Sequence, residues 1–211
     1  MHEGISIHGD VNSRFGATAD VFVGNLREGD EVGAALAVYF EGELVLDLWG
    51  GYADEARTRP WERDTIVCVM STTKGATALC ALQLADQGRL DFDAPVARYW
   101  PEFGAAGKDS IPVHMLMSHQ AGLAAVREPL PREALFDWQT MTSALARAQP
   151  WWEPGTAYGY HAFTFGWLVG EIVRRIDGRS LGTYFRDEIA MPLGLDWLIG
   201  FSSEHDARVA E

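Results

Sequence analysis

Residues 71–87 are rich in Ala, Leu and Thr, apolar nearly all round, and they stop at Gly88. A helix without a polar stripe has to be surrounded by other parts of the protein, so this run is expected to be a central, buried helix. Gly88 fits a left-handed cap at its end. The first turn carries a hydroxyl and an amine three residues apart, Ser71 and Lys74, which on a helix share one face about one turn apart. A serine hydroxyl is a poor nucleophile until a base takes its proton, and a lysine amine does so only where its surroundings lower its pKa from about 10.4. The pair reads as a nucleophile beside its base. The same spacing arises by chance in about one chain in ten of this composition, so the pair needs company.

Residues 32–40 and 44–49 are β-prone runs separated by Glu41-Gly42-Glu43, which predicts an antiparallel hairpin. The first run is almost continuously apolar, which predicts burial on both faces. Residues 57–63, with Pro60, read as a surface loop. Beyond the Ser71 helix, helical segments are expected at 94–99, 113–118, 132–148, 161–176 and 181–189, with stops at Pro101, Gly122, Pro150, Gly178 and Pro192 and with Ser180 as cap of the last. Residues 196–201 are a candidate for one more strand. That makes at most three strands, and an isolated hairpin is marginal in water, so more sheet is expected than the sequence contains. The pattern predicts an α+β chain that stops inside a domain, with hairpin and lead-in at 29–70 and the helical region at 71–195.

A second chemical cluster lies between two helices. In Trp151-Trp152-Glu153-Pro154-Gly155-Thr156-Ala157-Tyr158-Gly159-Tyr160-His161, Pro and Gly enforce a tight loop and aromatics crowd one place. A tyrosine near a Ser/Lys pair can shuttle protons if the ammonium lowers its pKa from about 10; the alternative is that Tyr158 and Tyr160 are packing aromatics. Trp152, Tyr158 and His161 are the candidate substrate contacts, the Trp151-Trp152 pair supplying an apolar wall. His119 reads as a structural hydrogen-bonding residue. His114 and His119 are five apart, on different helix faces, and no His-Glu-x-x-His run, phosphate-cradling glycine loop or Gly-x-Ser-x-Gly elbow occurs. No metal and no cofactor are expected.

Seventeen basic against thirty acidic residues give a net charge of −13. Arg174-Arg175 is the one basic pair, so nucleic acid and anionic membranes are not expected partners. The polar start lacks a signal-peptide pattern and no apolar stretch reaches about 18 residues, which predicts a cytoplasmic protein. Cys68 and Cys80 sit in apolar surroundings and read as buried, reduced thiols. The unpaired hairpin edge offers a route to a homo-oligomer.

Taken in order, the hairpin, Ser71-Thr72-Thr73-Lys74, Gly88-Arg89-Leu90-Asp91, Leu116-Met117-Ser118-His119-Gln120-Ala121-Gly122-Leu123, Pro154-Gly155-Thr156 with Tyr160, and Met191-Pro192-Leu193-Gly194-Leu195 resemble the serine β-lactamase-like superfamily. Within it the likeness is to the class C β-lactamase-related family VIII carboxylesterases. The resemblance implies a β-lactamase/transpeptidase-like α+β fold, an antiparallel sheet packed with a mostly helical region. It also implies a cofactor-free acyl-enzyme on Ser71, with Lys74 helping to deprotonate it and Tyr160 relaying protons, and small esters as substrates. β-Lactamases of this class carry Tyr-x-Asn where this sequence reads Tyr160-His161-Ala162, which favours esterase over β-lactamase; an acyltransferase on the same site is the other reading. The family's third motif, a Lys-Thr-Gly or Trp-Gly-Gly-like strand supplying one oxyanion donor, does not follow before Glu211. Loss of one such donor costs on the order of 3 kcal/mol, so the sequence reads as the N-terminal portion of such an enzyme and a non-catalytic fragment is the rival reading.

Overall fold

The computed structural model describes residues 5–29 and 31–211. It contains two compact units: the residues up to Cys68 together with Phe201–Glu211, and Val69–Gly200.

The first unit carries β1 (Ile7–Val11), α1 (Gly16–Glu28), β2 (Gly33–Phe40) and β3 (Glu43–Gly51), the strands forming an antiparallel sheet in the order β1-β3-β2. The expected hairpin is β2–β3. Its two-residue loop, Glu41-Gly42, has φ of 52° and 84°, the left-handed pair whose twist matches that of the flanking strands. Leu36 faces Leu48 and Val38 faces Leu46 across the hairpin, and these pack with Ala19 of α1 into a small core.

Two expectations fail here. The third strand is Ile7–Val11, laid along the other side of β3, while residues 196–201 are irregular. β1 has no apolar alternation and no fully buried residue. Ladder hydrogen bonds hold it, and those leave no mark in a hydrophobicity pattern. β2 has no fully buried residue either, and Tyr39 is 69% exposed, because β2 lies at the sheet's edge and packs through Leu36 and Val38.

The expected surface loop after β3 is organised by Asp54, whose buried carboxylate accepts the backbone N–H groups of Thr58 (2.8 Å) and Arg59 (3.1 Å) and the Thr58 hydroxyl. The last residues lie against this segment. The Ile66 N–H donates to the Arg208 carbonyl (2.9 Å), the Ala210 N–H to the Ile66 carbonyl (2.8 Å) and the Glu211 N–H to the Ala53 carbonyl (2.9 Å).

The second unit is helical: α2 (Thr73–Asp86), α3 (Val113–Met117), α4 (Trp138–Arg147), α5 (Thr164–Asp177) and α6 (Leu181–Phe185). Cys80 and Leu84 of α2, Leu116 of α3, Leu145 of α4, and Leu168 and Ile172 of α5 meet in one core. Both α2 and α5 stop as their sequences require. Gly88 (φ 69°) lets the Arg89 N–H reach back to the Leu84 carbonyl at 2.9 Å, and Gly178 (φ 94°) ends α5. The Ser180 hydroxyl oxygen accepts the Thr183 N–H at 3.1 Å, capping α6, which runs on through a π-helical turn, Arg186–Ala190. The expected helix at 132–148 is split by Asp137 into a 3-10 turn, Arg132–Phe136, and α4, whose N–H groups at Gln139 and Thr140 donate to the Asp137 carboxylate. Residues 94–99 contain only the 3-10 turn Val96–Arg98.

α2 is not buried all round. Ala76, Thr77, Cys80, Ala81 and Leu84 are covered, while Leu79 and Leu82 are 45% and 52% exposed. The other lysine, Lys108, is fully buried, and its ammonium donates to the carbonyls of Ala105 (2.7 Å), Ala146 (2.9 Å) and Ala148 (2.6 Å), closing the C-terminal end of α4. Cys80 fits the buried-thiol reading, burial pushing its pKa up to about 12, but Cys68 is exposed. Among the described residues no helix is long and apolar enough to cross a membrane.

Candidate active site

Ser71 lies on a 3-10 turn, Met70–Thr72, that leads directly into α2. Met70 holds φ 47°, a conformation that costs a non-glycine residue roughly 1–2 kcal/mol and that turns the backbone sharply just before the serine. Ser71 is exposed and Lys74, in the first turn of α2, is half-buried. The Lys74 Nζ donates to the Ser71 Oγ at 3.0 Å, as the three-residue spacing predicts, and also to the carbonyl oxygen of Ala162 at 2.7 Å. That second bond ties α2 to the segment just ahead of α5, 88 residues away.

Tyr160 stands in this segment. The Lys74 Nζ is 4.7 Å from the centre of the Tyr160 ring, and hydrogen bonding to Lys74 first and to the Ser71 hydroxyl second pulls the Tyr160 phenol below its ordinary value of 10.0. The three side chains named from the sequence therefore form one cluster of hydroxyl, amine and phenol. The arrangement can pass a proton between the serine and either partner.

The three proposed substrate contacts fare differently. Tyr158 is 80% exposed, so it is not a packing aromatic. Trp152 is half-buried, its Nε1–H donating to the Ala157 carbonyl at 3.0 Å and its ring meeting His161 edge-on at 6.1 Å. His161 is fully buried: its Nδ1 pairs with the Gly159 carbonyl at 2.6 Å and its Nε2 accepts the Leu123 N–H at 3.0 Å. Both ring nitrogens are thus engaged by backbone groups inside the fold.

His119 has φ 63° and sits under the same loop, its ring 5.1 Å from that of Tyr160, 5.4 Å from that of His161 and 5.3 Å from that of Phe165. Burial, and then the charge of Lys74, push its pKa below 6.5; burial does the same to His161, opposed by its bond to Gly159 and helped by the nearness of His119. The sequence carried no sign of the Ala162 contact, because the acceptor is a backbone atom and any residue supplies one. Among the described residues no group of three His, Cys, Asp or Glu side chains is arranged to hold a metal ion. A cavity of about 310 Å³ opens beside the site segment, lined in part by Val126, Leu130, Leu135, Met141, Phe163 and Trp167.

Gly122 fastens the loop from below. It holds φ 72°, its carbonyl accepts the Trp151 N–H at 2.7 Å, and a Cβ placed on it would lie 2.7 Å from the Trp152 carbonyl oxygen and 2.9 Å from the Pro150 Cβ. Gly122→Ala is expected to destabilise the protein by more than about 1 kcal/mol, since it adds both backbone strain and a clash with main chain. Urea denaturation checks this; an unchanged midpoint would show that the loop yields freely.

Comparison with known proteins follows the same lines. The beta-lactamase family model matches residues 19–210. The chain is 41% identical to the esterase/beta-lactamase LipL of Mycobacterium tuberculosis over 210 residues, 99% of this chain and 48% of LipL. Among solved structures, a family VIII carboxylesterase superposes with a TM-score of 0.92 at 46% identity, covering 98% of this chain and 57% of that one. A penicillin-binding protein homologue from Caulobacter crescentus superposes with a TM-score of 0.94 at 45% identity, covering 98% and 56%. The chain spans about half the length of the curated relatives it matches.

Proposed function

The chain belongs to the beta-lactamase family, with the family's β-lactamase/transpeptidase-like fold, and on that premise we propose that it is the part of a serine hydrolase that carries the acylated nucleophile, acting on small carboxylic esters. The observation that carries the reading is the single cluster of Ser71, Lys74 and Tyr160, with the amine 3.0 Å from the hydroxyl and the phenol ring 4.7 Å from the amine. Held beside an ammonium, the Tyr160 phenol is eased toward phenolate, the form that accepts a proton from Ser71. The Ser71 Oγ then bonds to the ester carbonyl carbon, the tetrahedral intermediate expels the alkoxide, and Tyr160 returns the proton to it. Water then attacks the acyl carbonyl carbon, its proton passing to Tyr160; the tetrahedral intermediate breaks its bond to the Ser71 Oγ, which takes that proton back, and the carboxylic acid leaves.

Two further observations support esters over β-lactams. The relatives include the esterase EstB of Burkholderia gladioli and a family VIII carboxylesterase. The position two residues after Tyr160 is Ala162, which contributes a carbonyl to Lys74 and has no side-chain amide to hold a β-lactam substituent.

The test is intact-mass spectrometry of the 211-residue chain after exposure to a short-chain p-nitrophenyl ester or a fluorophosphonate, followed by peptide mapping. One adduct on Ser71 is expected. Labelling no greater than that of Ser71→Ala would sink the reading, and hydrolysis of nitrocefin faster than of the ester would turn it toward a β-lactamase.

A further inference from the structure

Tyr160 poses a positioning problem. It lies outside any helix or strand and is 54% exposed, yet proton transfer tolerates little misplacement: an error of about 1 Å costs on the order of a hundredfold in rate. The surrounding hydrogen bonds show how the phenol is held. The Gly159 N–H donates to the backbone carbonyl of His119 at 3.1 Å. The His161 N–H donates to the Nδ1 of the same His119 at 3.2 Å. The residues on either side of Tyr160 are thus both fastened to one residue, through its main chain on one side and its ring on the other, while the ring edge meets the Tyr160 ring at 5.1 Å.

We propose that His119 is a positioning residue, which holds the Gly159-Tyr160-His161 backbone from both sides and so keeps the Tyr160 hydroxyl against Lys74 and Ser71. This inference rests on Tyr160 being the proton-transfer partner. The left-handed backbone of His119, at φ 63°, is what turns its carbonyl and its Nδ1 toward the same tripeptide. His161 completes the clamp. Its Nε2 accepts the Leu123 N–H, so the proton resides on Nδ1 and is donated to the Gly159 carbonyl. By the same logic His119 must leave Nδ1 bare and carry its proton on Nε2.

The clamp therefore works only with a neutral His119. The titratable and charged groups facing it are Lys74 from α2 and Tyr160 and His161 from the loop. Protonation would turn the Nδ1 acceptor into a donor aimed at the His161 N–H and set a second cation beside Lys74. Burial and that ammonium both lower the His119 pKa, so the neutral form persists through neutral pH and is lost only as pH falls below 6.5.

The test reads the place of the phenol directly. The Tyr160 ionisation is followed by ultraviolet absorbance, as the difference between the chain and its Tyr160→Phe variant, and it needs no turnover. The chain is expected to ionise Tyr160 below 10, and His119→Ala to return it close to 10. His119→Asn keeps an acceptor where Nδ1 stands and tolerates a left-handed backbone, so it should retain the lowered value. His119→Gln fills the space but carries its acceptor one bond too far, and should behave like alanine; it serves the same purpose if the alanine variant does not fold. In ester turnover, kcat should fall ~10- to 100-fold in His119→Ala with KM little changed, and return in His119→Asn with its acid limb moved to lower pH. An unshifted Tyr160 titration in a folded His119→Ala or His119→Gln chain overturns the proposal, as does an Asn variant indistinguishable from Gln. A chain that shows the titration shifts but no Ser71 adduct would uphold the clamp and refute the esterase reading; the converse result would do the opposite.

Discussion

Ser71→Ala will end covalent labelling and ester turnover altogether, and Lys74→Ala will reduce turnover roughly 100- to 10,000-fold while leaving the serine in place. The alanine at 71 has no atom to acylate. The loss at 74 follows from what the amine touches. It is 3.0 Å from the Ser71 Oγ, 2.7 Å from the Ala162 carbonyl and 4.7 Å from the Tyr160 ring centre, so one truncation removes the proposed proton-transfer partner and the tie between α2 and the tyrosine segment. Two titrations should move with it. The Tyr160 phenol loses the largest cause of its lowered pKa and rises toward 10.0, and His119 loses the nearby charge and rises toward 6.5. The acid limb of residual activity should accordingly move to higher pH. Steady-state hydrolysis of p-nitrophenyl acetate across pH measures all of this. Turnover by Lys74→Ala within roughly tenfold of the unmodified chain would remove Lys74 from the mechanism.

Glu171→Ala should destabilise the protein by about 1–3 kcal/mol without touching the site chemistry. Glu171 is 1% exposed on α5. Its carboxylate accepts the Trp138 Nε1–H, the Nε–H and an Nη–H of Arg174, and the Nε–H of Arg175, each at 2.7 Å, and Arg175 reaches on to Glu102. Removing the carboxylate takes the partner from the Arg174 guanidinium and the Trp138 indole N–H at the joint of α4 and α5 and leaves Arg175 with Glu102 alone. Burial by itself would raise the Glu171 pKa, but Arg174, Arg175 and Trp138 outweigh it and hold the carboxyl below 4.5. A carboxyl lowered in the folded state contributes stability that is present above its unfolded pKa and lost as pH falls through its folded one. This share of the acid loss should therefore appear below pH 4.5 in the unmodified chain and be missing from Glu171→Ala, which keeps the shares of Asp54, Asp137 and Asp177. Urea denaturation at neutral and acid pH checks both parts. A Glu171→Ala midpoint equal to that of the unmodified chain would show that the buried bonds contribute little.

Features that depend on neighbours along the backbone are legible in the order of the residues. Ser71 and Lys74 meet because three residues make about one helical turn. The hairpin closes at Glu41-Gly42 because two left-handed residues suit its twist, α2 and α5 stop at Gly88 and Gly178, and Ser180 caps α6 because a hydroxyl there reaches a free N–H. The ordered motifs, through the family they resemble, also imply that Tyr160 lies with Ser71. Tertiary structure alone decided the rest, since its partners are far apart in sequence or are backbone atoms that every residue shares. The Ala162 carbonyl under Lys74, the His119 clamp on both sides of Tyr160 and the strand Ile7–Val11 beside β3 belong to that class. Burial belongs there too: hydrophobicity states that Leu79, Leu82 and Tyr39 would gain from cover, but only packing decides whether cover arrives, and here they remain exposed. His161 shows the same division most plainly. Its place next to Tyr160 was legible in the sequence, and its inward-facing ring was fixed by the Leu123 N–H, 38 residues away.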